Sequence, residues 1–222
     1  MSEPAQALPG YRPGLPPVPD HMRHLPVRRG YPVPWFVAKV DGDYHFPTAD
    51  GSKVAIAVKA NRCWVCGGQL GTRYAFVIGP LGTVTRTTSE PPCHRECAVF
   101  SATACPFLAR PGMKRQLEHA EGSSPPPGLH IERNPGASVV WITRAFSVAR
   151  VPGDQGVEGG VLFKLDWPET VLWFREGRAA TREEALDAIE SGVPILREYA
   201  PTDDDREYLD QCLSAARKMV PA

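Results

Sequence analysis

No GxGxxG following a strand, no GxxxxGKS/T, no HExxH and no GxSxG occurs among the 222 residues. Dinucleotide binding, P-loop phosphate binding, zincin chemistry and serine hydrolysis are therefore without motif support. An excess of one charge is also missing: 25 lysines and arginines face 25 acidic residues, with a pI near 7.0. That balance is not the footprint of a protein held broadly on nucleic acid. The apolar runs, such as 54–58, fall far short of the roughly 18–20 residues that cross a bilayer. The opening residues lack the basic start and apolar stretch of a secretory signal. We therefore expect a cytoplasmic protein without a membrane span. No internal repeat is visible.

Proline and glycine are abundant, at 24 and 20 residues, and nine of the prolines fall at or before Pro34. Such a composition favours extended chain, so residues 1–27 are expected to form a disordered leader. Residues 28–122 read as a β-rich segment. In it, residues 35–40 and 44–46 suggest strands about a turn at Asp41-Gly42-Asp43, and 53–59 a strand or short helix. Residues 123–136 read as a loop or linker. Residues 137–222 read as a hairpin followed by helices, with 139–148 as one long strand pairing with 161–165. Pro168 fits a first helical turn ahead of Val171, Leu172 and Phe174. Thr181 and Glu184 form a capping box, and Thr202 can cap a last helix striped by Leu209, Cys212, Leu213, Ala216 and Val220. The fold class is α+β.

Five of the six cysteines lie between 63 and 105. Cys63-Trp-Val-Cys66-Gly-Gly has the pattern of a zinc knuckle, whose tight turn brings two thiolates together and whose glycine tolerates positive φ. The second half is Cys93-His94-Arg-Glu-Cys97, directly after Pro91 and Pro92, where a helix is expected to begin. Residues i and i+3 on a first turn share a face, so His94 and Cys97 can reach an ion held by Cys63 and Cys66. Between the halves, 74–78 and 84–88 flank Gly79-Pro80-Leu81-Gly82 like a hairpin. Knuckle, hairpin and helix N-terminus together make a treble clef, a local resemblance to treble-clef zinc fingers. Sulfur and imidazole donors in this spacing point to Zn2+.

Cys93 is the rival ligand, since Cys93 and Cys97 at i and i+4 complete an all-thiolate set. His94 is preferred because Cys93 follows Pro92 and belongs to extended chain. Cys105 lies about 12 Å beyond Cys97 on a continuous helix, too far for the same centre. Four protein ligands make a closed, structural site, while three leave room for a catalytic water. Glu96 would then be a possible base, although its position directs it toward solvent.

Arginines 62, 73, 86, 95 and 110 against Glu90 and Glu96 make the metal segment locally basic, with Trp64 and Tyr74 nearby. This permits only weak nucleic-acid binding. From Thr181 onward ten acidic residues face five basic ones. Two functions fit: a zinc-stabilised protein that binds a protein or nucleic-acid partner, or an enzyme. An enzyme's cleft would lie between the zinc segment and residues 141–178, lined by Trp141, Arg144, Trp167, Trp173 and Arg175.

The runs RGYPVPWFVA (29–38), NRCWVCGGQLG (61–71), AFVIGPLGTVTRTTSEPPCHRECA (75–98), CPFL (105–108), RNPG (133–136) and VLWFREGRAATREEALDAIESGVPIL (171–196) resemble an uncharacterised family of bacterial and bacteriophage proteins. The resemblance spans most of the chain beyond the leader. It implies an intracellular protein with a metal site on Cys63, Cys66, His94 and Cys97, and no particular activity.

Overall fold

A computed structural model of the chain describes residues 8–110, 112–114, 134, 136–152 and 160–222. The expected linker at 123–136 lies outside the described residues, apart from Asn134 and Gly136. Helices and strands are mixed, as an α+β fold requires. A single 3-10 turn at Asp20–Met22 precedes two small hairpins, β1 (Val27–Arg28) with β2 (Tyr31–Pro32) and β3 (Val37–Val40) with β4 (Asp43–Ala49). Asp41 and Gly42 both take positive φ, 51° and 83°, the two-residue turn that matches strand twist. The 51–59 segment is helical, α1 (Gly51–Lys59), started by the Asp50 carboxylate accepting the Ser52 N–H.

After α1 come β5 (Tyr74–Ile78), α2 (Pro80–Thr85), β6 (Thr87–Thr88), α3 (Arg95–Ala104) and α4 (Pro106–Ala109). The second half contains β7 (Ser138–Thr143), β8 (Phe146–Val151), β9 (Gly160–Leu165), β10 (Thr170–Arg175) and β11 (Arg178–Ala179), then α5 (Arg182–Glu190), α6 (Val193–Glu198) and α7 (Asp203–Arg217). An antiparallel sheet in the order β11-β10-β7-β5 runs through the middle, and β6-β9-β8 form a second sheet. Every residue of β7 is buried. Side chains alternate along a strand, so Val139 and Trp141 enter one apolar cluster and Val140 and Ile142 another. The first cluster holds Phe76, Phe163, Ile189 and Leu213; the second holds Cys63, Cys66, Cys97 and Ala98. The sheet thus divides the metal segment from the C-terminal helices. On the metal side, Ala98 and Ala102 are almost wholly buried, and their small side chains let α3 lie close to the sheet.

Both capping boxes form: Thr181 with Glu184 starts α5, and Thr202 with Asp205 starts α7. Leu209, Leu213, Ala216 and Val220 are buried as the stripe requires, while Cys212 is half-buried at its margin.

Four expectations are corrected. The leader, whose first seven residues lie outside the described residues, is anchored by Met22 and Leu25, only 1% and 7% exposed, because these two apolar side chains join the cluster of the metal layer in a way that composition does not reveal. No hairpin joins 74–78 to 84–88. Pro80 at a helix start turns the chain into α2, Arg86 ends it with φ 53°, and β6 pairs with β9 instead. The strand expected over 139–148 is two strands in different sheets, parted where the Thr143 hydroxyl meets the Ala145 N–H at 3.3 Å. Residues after Pro168 form β10 rather than a helix, paired with β7 from Thr170↔Ile142 to Phe174↔Ser138. A Val-Leu-Trp-Phe run suits a strand buried on both faces. Because β5 pairs with β7 and β6 with β9, the segments before and after 123–136 share both sheets.

Candidate metal centre

The Cys63–Cys66 turn is built from its own backbone. The Gly67 N–H donates to the Cys63 carbonyl at 2.8 Å, and the Cys63 N–H to the Gly68 carbonyl at 2.7 Å. Gly67 has φ 72°, and a Cβ there would come 2.8 Å from the Trp35 ring, so both conformation and space require glycine. Neighbouring chain fixes the turn: the Trp35 N–H donates to the Val65 carbonyl at 2.7 Å, and the Trp64 N–H to the Pro92 carbonyl at 3.0 Å. On the other side, Cys93 exchanges both backbone hydrogen bonds with Ala75 of β5, at 2.7 and 3.0 Å. That pairing delivers the next residue, His94, to the N-cap of α3 at the open side of the turn.

Cys63, Cys66, His94 and Cys97 converge, with their ligand atoms all within 4.8 Å of one another. The His94 ring makes no capping bond. Its Nε2–H donates to the Gln69 carbonyl at 2.9 Å, which leaves Nδ1 as the lone-pair donor, 3.3 Å from Cys66 Sγ and 3.8 Å from Cys97 Sγ. Three sulfurs and one imidazole, buried save for the His94 edge, can hold a metal ion. Backbone N–H groups of Cys66, His94 and Gly68 point at sulfur, the first two at Cys63 Sγ and the third at Cys66 Sγ, each at 3.4 Å. Hydrogen bonds from the Cys66 and Cys97 thiols, aided by those N–H groups, draw the Cys63 thiol well below its ordinary value. The same sharing pushes Cys66 and Cys97 up, because they donate to Cys63 and lie beside its charge. Three sulfurs and an imidazole in so small a space suit a cation in the place of thiol protons.

The other candidate residues lie apart. Cys93 is fully turned away: its thiol donates to the Ala75 carbonyl at 3.2 Å, and burial pushes its pKa well up. Cys105 caps the far end of α3 and stays outside the cluster. The Glu96 side chain is 59% exposed, 3.6 Å from His21. His21, His24 and Gln69 all approach the centre, and no spacing rule singled them out. The only sequence sign was two apolar residues, Met22 and Leu25, interleaved with the histidines.

The residues nominated for a catalytic cleft are placed differently from one another. Trp141 and Trp173 are buried in the core, their indole N–H groups donating to Asp166 and Met219 carbonyls. Arg144 and Arg73 share Glu169, and Arg175 lies near Glu176 and Glu184. Trp167 is 58% exposed and borders a wide groove of about 980 Å³ along α7, remote in composition from the thiol cluster. The local arginines are likewise dispersed, with Arg86 lying 4.7 Å over Trp167 and Arg62 bonded to the Gly67 carbonyl. Trp64 is buried between Trp35 and Phe36, so it offers no face to a nucleic-acid base.

No family model, curated protein or solved structure matches the chain. Among the described residues no helix is long and apolar enough to cross a membrane.

Proposed function

We propose that the chain holds one Zn2+ through Cys63, Cys66, His94 Nδ1 and Cys97, and that the ion is structural. The observation that carries this reading is the convergence of four protein donors in a buried cluster. Three thiolates and an imidazole match the chemistry of closed zinc sites, where no coordination position is left for substrate water. The knuckle and the N-terminus of α3 supply two ligands each, in the manner of a treble clef, although α2 stands where such a motif has its hairpin. The protein then works in the cytoplasm by binding, with the zinc layer and the sheet as a rigid platform. A protein partner is favoured over nucleic acid, because the arginines of the metal segment are scattered, with Arg62 and Arg73 already engaged, and Trp64 is buried. The resemblance to bacterial and bacteriophage proteins belongs to the same reading.

Elemental analysis of the chain purified without added metal tests it. About one zinc per chain is expected, with loss of folding around the centre on chelation, since structural zinc binding is folding free energy. A chain free of zinc, or one holding iron, refutes the zinc reading. Nanomolar DNA or RNA binding insensitive to salt refutes the preference for a protein partner.

A further inference from the structure

The knuckle and α3 are not the only elements at the centre. Residues 19–25 wind across it in consecutive turns: the Met22 N–H donates to the Pro19 carbonyl at 2.8 Å, Arg23 to Asp20 at 3.1 Å and Leu25 to Met22 at 3.0 Å. These turns place Met22 and Leu25 in the apolar cluster that contains Cys63, Cys66 and Cys97. With those anchors seated, the two intervening histidines reach the two halves of the site. The His24 Nε2–H donates to the Cys66 carbonyl at 3.0 Å, across 42 residues of sequence. The His21 ring packs 4.8 Å from the His94 ring, and its Nε2 lies 3.6 Å from Glu96 on the first turn of α3.

One short segment therefore touches the knuckle through His24 and the helix through His21. A bound ion fixes the spacing of those same halves. Two binding events that both require one spacing must reinforce each other, and the reinforcement is reciprocal. We propose that Asp20 to Leu25 form a metal-coupled strap: a seated strap slows loss of the ion, and withdrawal of the ion releases the strap. His21 and His24 are positioning residues in this device, not ligands. The proposal rests on the zinc reading above and adds regulation of that site. Release would uncover the apolar surface beneath Met22 and Leu25 and free the proline-rich chain before them, converting metal loss into an exposed binding surface.

The test uses the full zinc-loaded chain. Zinc transfer to a chromophoric chelator is timed for the native sequence, for His24→Phe, which keeps a ring but removes the donor, and for the double variant Met22→Ala/Leu25→Ala. Val148→Ala, at a 44% exposed position on β8, serves as control. Outer-shell partners of metal ligands are worth about 10- to 100-fold in affinity, so release should accelerate about tenfold for His24→Phe, more for the double variant, and not at all for the control. Hydrogen exchange reads the strap itself, beside the release rates. The amides of Met22, Arg23 and Leu25 in the native chain should exchange at least about tenfold faster once zinc is withdrawn, because the exchange rate follows the opened fraction. A chain that takes up no zinc overturns both the zinc reading and the strap. A chain that binds one zinc while its release ignores both His24→Phe and the double variant, or whose strap amides exchange equally with and without zinc, overturns the strap alone.

Discussion

Replacing Cys93, His94 and Cys97 one at a time asks which of three adjacent donors hold the ion. Structural zinc binds with about 10–16 kcal/mol, so each of four ligands is worth roughly 3 kcal/mol, about a hundredfold or more in affinity. His94→Ala removes the Nδ1 donor that lies 3.3 Å from Cys66 Sγ, and Cys97→Ser removes a buried sulfur; each should weaken zinc binding by about that factor. Cys93→Ser differs in kind. The Cys93 thiol is spent on the Ala75 carbonyl, 3.2 Å away, and a serine hydroxyl can donate to the same oxygen. The expected cost is about 1 kcal/mol of folding stability, with zinc affinity changed less than about threefold. Competition with a chelator of known affinity, read with elemental stoichiometry, measures all three. If Cys93→Ser loses zinc while His94→Ala keeps it, the ligand set is all-thiolate and the reasoning from the α3 N-cap is wrong.

Acid should expel the ion in a defined way. The Cys63 thiol is drawn down by the hydrogen bonds it accepts, Cys66 and Cys97 are pushed up by donating to it, and thiol protons must leave the cluster when zinc enters. Affinity therefore rises with pH and falls on acidification, and calorimetric titration in buffers of different ionisation enthalpy should report thiol protons released as zinc binds near pH 8; none released contradicts the account. Gly67→Ala should weaken zinc binding and lower the melting temperature, since an alanine Cβ would sit 2.8 Å from the Trp35 ring on a backbone with φ 72°. Strain of that kind costs about 1–3 kcal/mol, and an unchanged melting temperature would show that Trp35 yields freely.

Much of the metal centre was legible because its parts are local. Two cysteines three residues apart, and His94 three before Cys97, constrain their own geometry through a turn and a first helical turn. The choice between Cys93 and His94 was open to sequence only through Pro92; what directs the Cys93 thiol away is a backbone pairing with Ala75 of β5, a contact across 18 residues. For the histidines of the leader the sequence offered only the neighbouring Met22 and Leu25, since their approach depends on where those two side chains are buried.

The sequence by itself determined the knuckle, the Asp41-Gly42 turn and the starts of α5 and α7, since each rests on hydrogen bonds between residues at most a few positions apart. Only the tertiary structure decided that residues after Pro168 extend rather than coil, that 139–148 divides between two sheets, that β6 seeks β9 and that the leader packs. The reason is common to all four. Their conformations are set by strand partners and buried surfaces supplied by distant parts of the chain, and local propensity is too weak to oppose them.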